Sequence, residues 1–234
     1  MSDNVIYKKR TENGTLRVVD TVYDDETVCF LKINDTFQSG MYLDPDRKYD
    51  LVFPYMQRFS YAFHVHEDIK DTFLIGGGGF TYPKYYVHTY PSSEITVAEI
   101  NADIISVAFE YFGLRELEES ESKRLHIVNE DGIQYLNDND KKYDLIVNDA
   151  FIGKKDQARN ESDTEVIYRS LKENGIYMVN VTTALSGPFA KNGNAFRKIL
   201  QKYFKHTIMI PCEEDRNPFE RQNVLMISSD RDLL

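Results

Sequence analysis

The chain has no tryptophan, only two cysteines in 234 residues, and fewer basic than acidic side chains, 28 Lys and Arg against 38 Asp and Glu. Each scarcity excludes something. Cys29 and Cys212 stand far apart with no CxxC or Cys/His cluster beside them, so neither a zinc site nor a disulfide framework is indicated and two buried thiols are expected. A net charge of −10 repels phosphate backbones, and no basic stripe of the kind that displaces counterions from nucleic acid is present. That balance suits a cationic or zwitterionic small molecule better. No apolar run approaches the roughly 18 residues of a membrane span, and the opening "MSDNVIYKKRTENG" has no apolar signal core. A cytoplasmic protein that binds neither nucleic acid nor membrane is the expectation. His64 and His66 alternate without a third ligand in view, so no metal site is read there.

What is present is a globular composition, 41% hydrophobic and 28% charged, at a length that buries one large core or a core with a small appendage. Residues 16–43 contain short β-rich runs broken by "YDDE" and "KINDT", the punctuation of antiparallel hairpins. "YDLVFPYMQRFSYAFHV" then repeats its apolar and aromatic residues near helical spacing, with Pro54 in the first turn, and predicts a connecting helix. From residue 71 onward seven apolar runs, from "TFLIG" to "NVLMIS", alternate with helical segments that Gly113 and Gly175 are placed to stop. The fold class expected is α/β, a seven-stranded, mostly parallel sheet covered on both faces, with an antiparallel final strand. A small N-terminal antiparallel β unit is assigned to residues 1–48, and the nucleoside-binding domain to residues 49–234.

In an open α/β sheet, ligands bind beyond the carboxyl ends of the strands, where the strand order reverses. Gly76, Gly77, Gly78 and Gly79 follow the first of these strands, where missing side chains let a ligand approach the backbone. Glu99 ends the second strand 20 residues beyond Gly79, where nucleotide folds place a carboxylate for the ribose hydroxyls. Asp131 and Gly132 follow the third strand, and Asp149 the fourth. Asp131 reads equally as the N-cap of the next helix. With an acid at each strand end and no spaced GxGxxG, a single nucleoside fits better than NAD. The crowd of Tyr82, Tyr85, Tyr86 and Tyr90 is assigned to packing, and the polar loop 153–165 reads as either a lid or a solvated loop.

"FLKINDTFQSG", "FLIGGGGF", "ITVAEIN", "IVNEDGIQYL" and "YDLIVNDAF", in this order and at these separations, resemble the spermidine synthase family, the aminopropyltransferases. The resemblance implies a seven-stranded Rossmann-like methyltransferase fold behind the N-terminal β unit. It implies that Gln38 meets the sulfur end of the nucleoside, that Glu99 holds the ribose, and that Asp131 holds the adenine. It implies that Asp149 is the base that takes a proton from an attacking amine. It also implies S-adenosylmethionine or its decarboxylated form as donor, a small amine as acceptor, no metal, and a homodimer. Two motifs depart from the family. Gly-Gly-Gly-Asp-Gly-Gly becomes Gly76-Gly77-Gly78-Gly79-Phe80-Thr81, and the second acid of Asp-Ser-Ser-Asp-Pro becomes Ile152. The gap expected at Gly79 would leave the decarboxylated donor's ammonium without its ion pair and favour a donor that keeps its carboxylate. A SAM-dependent methyltransferase and a non-catalytic nucleoside-binding protein are the alternatives.

Overall fold

The computed structural model describes residues 3–121, 123–150, 159–213 and 215–234. The chain opens with four antiparallel strands, β1 (Asn4–Thr11), β2 (Gly14–Tyr23), β3 (Glu26–Ile33) and β4 (Thr36–Tyr42), ordered as in the sequence. Two-residue turns join them, and Asp24 and Asp25 both take positive φ, as the turn that matches strand twist requires. One face of this sheet, with Leu16, Val18, Cys29 and Leu31, packs against Ile104, Val107 and Phe112.

The segment expected as one helix is broken into α1 (Pro54–Gln57), a 3₁₀ turn at Arg58–Ser60, and α2 (Tyr61–Val65). The Ser60 hydroxyl donates to the Gln57 carbonyl at 2.5 Å, a local bond that competes with the helical ladder. The break keeps Met56, Phe59 and Ala62 in the core while Tyr55 turns toward the strand ends of the second sheet.

That sheet contains β5 (Asp71–Ile75), β6 (Glu94–Ala98), β7 (Leu125–Val128), β8 (Tyr143–Asn148), β9 (Leu171–Thr183), β10 (His206–Pro211) and β11 (Gln222–Ser229), in the order β10-β11-β9-β8-β5-β6-β7. The pairs among β5 to β9 are parallel, and β11 runs antiparallel to both β9 and β10. Near-continuous apolar runs suit strands covered on both faces, and all six residues of β8 are buried. The order reverses at β5: the chain steps outward through β6 and β7, then returns to place β8 on the opposite side.

The helices α3 (Thr81–Thr89), α4 (Ala102–Tyr111), α5 (Leu114–Glu121), α6 (Gly132–Asp138), α7 (Glu161–Ser170) and α8 (Lys191–Tyr203) flank the sheet. The four tyrosines after the glycines serve packing: Tyr82 and Tyr86 are buried, and Tyr90 stacks on Phe63. Lys84, also on α3 and only 7% exposed, donates to the Phe112 carbonyl at the end of α4. Burial lowers its pKa to about 8.

Three expectations are corrected. Helix α5 occupies "LRELEESE", where the sequence pattern predicts no element. The stretch "LKENG" belongs to β9, so α7 ends at Ser170 and Gly175 stops no helix; Asn174 takes the left-handed conformation at an irregularity in the β8–β9 pairing. Of the loop expected over residues 153–165, residues 153–158 lie outside the described residues, and Glu161 onward is helix, capped by the Asn160 side chain.

Candidate active site

Four parallel strands end level with one another. Ile75 pairs with both Ala98 and Asn148, and Ala98 pairs with Val128. The next residue of three of them, β5, β6 and β8, then hydrogen-bonds across: Gly76 N–H donates to Ala98 O, Glu99 N–H to Val128 O, and Asp149 N–H to Ile75 O, at 2.9 to 3.0 Å. The glycine turn, Glu99 and Asp149 are thereby fixed on one line along the crevice.

A cavity of about 670 Å³ opens above that line, within the range of small-molecule sites. Gln38, Gly76, Gly77, Gly78, Glu99, Asp131, Gly132 and Asp149 all line it. Its other wall comes from the N-terminal sheet, with Tyr23, Asn34 and Phe37 among the lining residues. Five carboxylates face the cavity, those of Glu99, Glu130, Asp131, Asp149 and Glu213, and no lysine or arginine is among the described residues that line it. The interior is therefore suited to cations.

Asp149 is held from both sides: Tyr55 Oη donates to Oδ2 at 3.0 Å and Asn180 Nδ2 to Oδ1 at 3.1 Å. Burial pushes its pKa up to about 6, against the pull of these two bonds and of the Arg159 charge. Glu99, 6% exposed, accepts from the N–H groups of Gly77, Gly78 and Asn101 at 2.8 to 3.2 Å. Burial raises its pKa, and the three backbone donors oppose the rise. Glu99 thus shapes the glycine turn as well as facing the cavity. Asp131 caps α6, with Oδ1 accepting from Ile133 and Gln134 N–H. Gly132 is explained by packing, since a Cβ there would lie 2.8 Å from the Ile75 side chain. The Gln38 amide turns back toward its own strand, near the Phe37 carbonyl at 3.4 Å.

Gly79 is the correction. It is not among the cavity-lining residues, and a Cβ on it would meet Ser39 and Phe112 side-chain atoms at 2.9 Å. The expected gap is filled by β4 and the end of α4. Phe80, at the motif's next glycine position, keeps a glycine-like φ of +57° and buries its ring, which would meet a Cβ on Gly77 at 2.7 Å. Holding a bulky residue there costs about 1–2 kcal/mol. Gly76, at φ +93°, lies against the Ala150 backbone, so its bareness is demanded by the protein itself.

Tyr55 and Asn180 were not singled out from the sequence. Asn180 carried a signal, a lone amide inside the apolar run "YMVNV". Tyr55 carried none, because its partner is 94 residues away. Among the described residues no three or more His, Cys, Asp or Glu side chains gather as a metal-holding group, and no helix is long and apolar enough to cross a membrane.

The family model for the spermine/spermidine synthase domain matches residues 59–209. The chain belongs to that family. It is 29% identical over 148 residues to a polyamine aminopropyltransferase of Lachnospira eligens, which covers 62% of this chain and 50% of that one. A second polyamine aminopropyltransferase, from Serratia proteamaculans, is 22% identical over 207 residues, 87% of this chain and 67% of its own. The chain spans about half the length of several curated relatives it matches. In structure it is similar to a probable spermidine synthase from Corynebacterium glutamicum, with a TM-score of 0.79, 18% identity, and coverage of 99% of this chain and 81% of that one. At that identity the likeness speaks for the fold, and it extends over both sheets.

Proposed function

We propose that this protein is an aminopropyltransferase that moves the aminopropyl group of decarboxylated S-adenosylmethionine to an amine acceptor. The observation that carries the proposal is Asp149, held between Tyr55 and Asn180 on the line of strand ends, in a cavity whose described lining is acidic. The fit is electrostatic. A decarboxylated donor carries a sulfonium and an ammonium, and the acceptor arrives as a second cation; five carboxylates favour all three and disfavour a donor that retains its own. The packing of Gly79 removes the earlier reason to prefer a carboxylated donor, because no acid fits at that position whichever donor binds.

In this reading Glu99 accepts the ribose hydroxyls, Asp131 faces the adenine, and the sulfur lies near Gln38. An alkylammonium has no lone pair, so it must lose a proton before it attacks. Asp149 takes that proton; its pKa of about 6 leaves it ionised at neutral pH yet more basic than an exposed carboxylate. The amine nitrogen then bonds to the methylene carbon beside sulfur. The carbon–sulfur pair leaves on sulfur, and the sulfonium becomes neutral methylthioadenosine. Tyr55 and Asn180 act as positioning residues that aim both carboxylate oxygens.

Mass spectrometry of reactions with each donor and 1,4-diaminobutane tests this. The expected products are methylthioadenosine and an aminopropylated amine from the decarboxylated donor. S-adenosylhomocysteine with a methylated product from S-adenosylmethionine would make the protein a methyltransferase instead. Binding of methylthioadenosine with no turnover of either donor would make it a nucleoside-binding protein.

A further inference from the structure

In-line displacement at the carbon beside sulfur brings the acceptor in from the side of Asp149 opposite the nucleoside. Glu99 and Asp131 lie on the β6 and β7 side. The acceptor's path therefore runs the other way, over β9, β11 and the turn after β10. The residues there form one rung: Thr182 of β9 pairs with Asn223 of β11, whose carbonyl accepts from Cys212 N–H, and all three line the cavity. The rung carries no charge. Directly beyond it Glu213, also lining the cavity, presents a carboxylate whose side chain is 47% exposed at the mouth.

From Asn180, which touches Asp149, the path to Glu213 runs two residues along β9 and two strands across, roughly 12 Å between backbone positions by ordinary strand geometry. An extended four-carbon diamine with a carboxylate at each end fits that span. Glu213 is engaged by Arg216 at 2.8 and 2.9 Å, but Arg216 also reaches Glu220, so releasing Glu213 does not strand the guanidinium. The resembled family's second acid is Ile152 in this sequence, a position outside the described residues.

We propose that Glu213 is the specificity-determining acid of the acceptor site and holds the far ammonium of a diamine whose near nitrogen lies at Asp149. This rests on the aminopropyl-transfer reading. Steady-state kinetics with the decarboxylated donor test it, comparing 1,4-diaminobutane with 1-aminobutane in the wild-type protein, Glu213→Gln and Arg216→Gln. The expected result is a rise of tenfold or more in KM for the diamine in Glu213→Gln, with kcat and the monoamine KM unchanged within twofold. Arg216→Gln, which frees the carboxylate, lowers the diamine KM. An equal effect on both amines, or none on either, overturns the role of Glu213 and leaves the transfer reading standing. So does a wild-type protein that prefers the monoamine. A wild-type protein that transfers to no amine, and on calorimetry binds no diamine when loaded with methylthioadenosine, overturns both. The two substituted side chains are exposed, and unchanged melting temperatures confirm that the variants fold.

Discussion

Tyr55 and Asp149, 94 residues apart in sequence, meet through a 3.0 Å hydrogen bond from the phenol to the carboxylate. The bond joins the broken helix after the N-terminal sheet to the end of β8, and it stabilises the ionised form of Asp149. Tyr55→Phe is expected to raise the Asp149 pKa above its present value of about 6 and move the acidic limb of the kcat/KM profile upward. A rise of about one unit would roughly halve the ionised fraction at pH 7, an activity loss of about twofold that is recovered toward pH 8. An unmoved limb would mean that the bond does not tune the base.

Asp149→Asn should separate stability from activity. The folded-state pKa is raised above the unfolded value of 3.8, so between about pH 4 and 6 the folded protein holds more protons, and stability falls as pH rises through that window. Above pH 6 the full penalty applies, up to about 3 kcal/mol. The asparagine variant is expected to lose turnover, keep methylthioadenosine affinity, and unfold at higher denaturant than the parent at pH 7, with the advantage shrinking toward pH 4. Parallel denaturation curves at the two pH values measure it.

Restoring the family's acid with Gly79→Asp is expected to harm the fold without improving the donor site. The new Cβ would sit 2.9 Å from Ser39 and Phe112, and the carboxylate would displace packed side chains rather than enter the cavity. A loss of about 1–3 kcal/mol by chemical denaturation, with no tightening of decarboxylated donor, is the outcome looked for.

Lys84 gives the opposite pH signature from Asp149. Its folded pKa, about 8, lies below its ordinary 10.5, so the folded state holds fewer protons between those values and stability rises with pH across them. Lys84→Met should therefore stabilise the protein below pH 8, by up to about 3 kcal/mol less whatever the bond to the Phe112 carbonyl supplied. The difference in melting temperature between the two proteins is expected to close by pH 10.5.

The strand ends are legible because each apolar run gives way to polar residues or glycine, and Gly76, Glu99, Asp131 and Asp149 follow within three residues of a strand's last residue. Where the signal failed, a local rule lost to distant packing. "LKENG" has the composition of a helix end, but pairing with β8 draws it into β9 and gives the left-handed turn to Asn174 instead of Gly175. Gly79 read as a gap because nothing in its neighbourhood announces that Ser39, on another sheet, fills the space. The sequence leaves both roles of Asp131 open, and its carboxylate caps α6 while facing the cavity. The partners of Asp149 lie 31 and 94 residues away and become neighbours only in the folded chain.

The shared level of Ile75, Ala98, Val128 and Asn148 makes strand length a condition of the crevice. Deleting a single residue from β5 would turn Gly76 to the wrong face and pull one tooth of the comb out of line with Glu99 and Asp149.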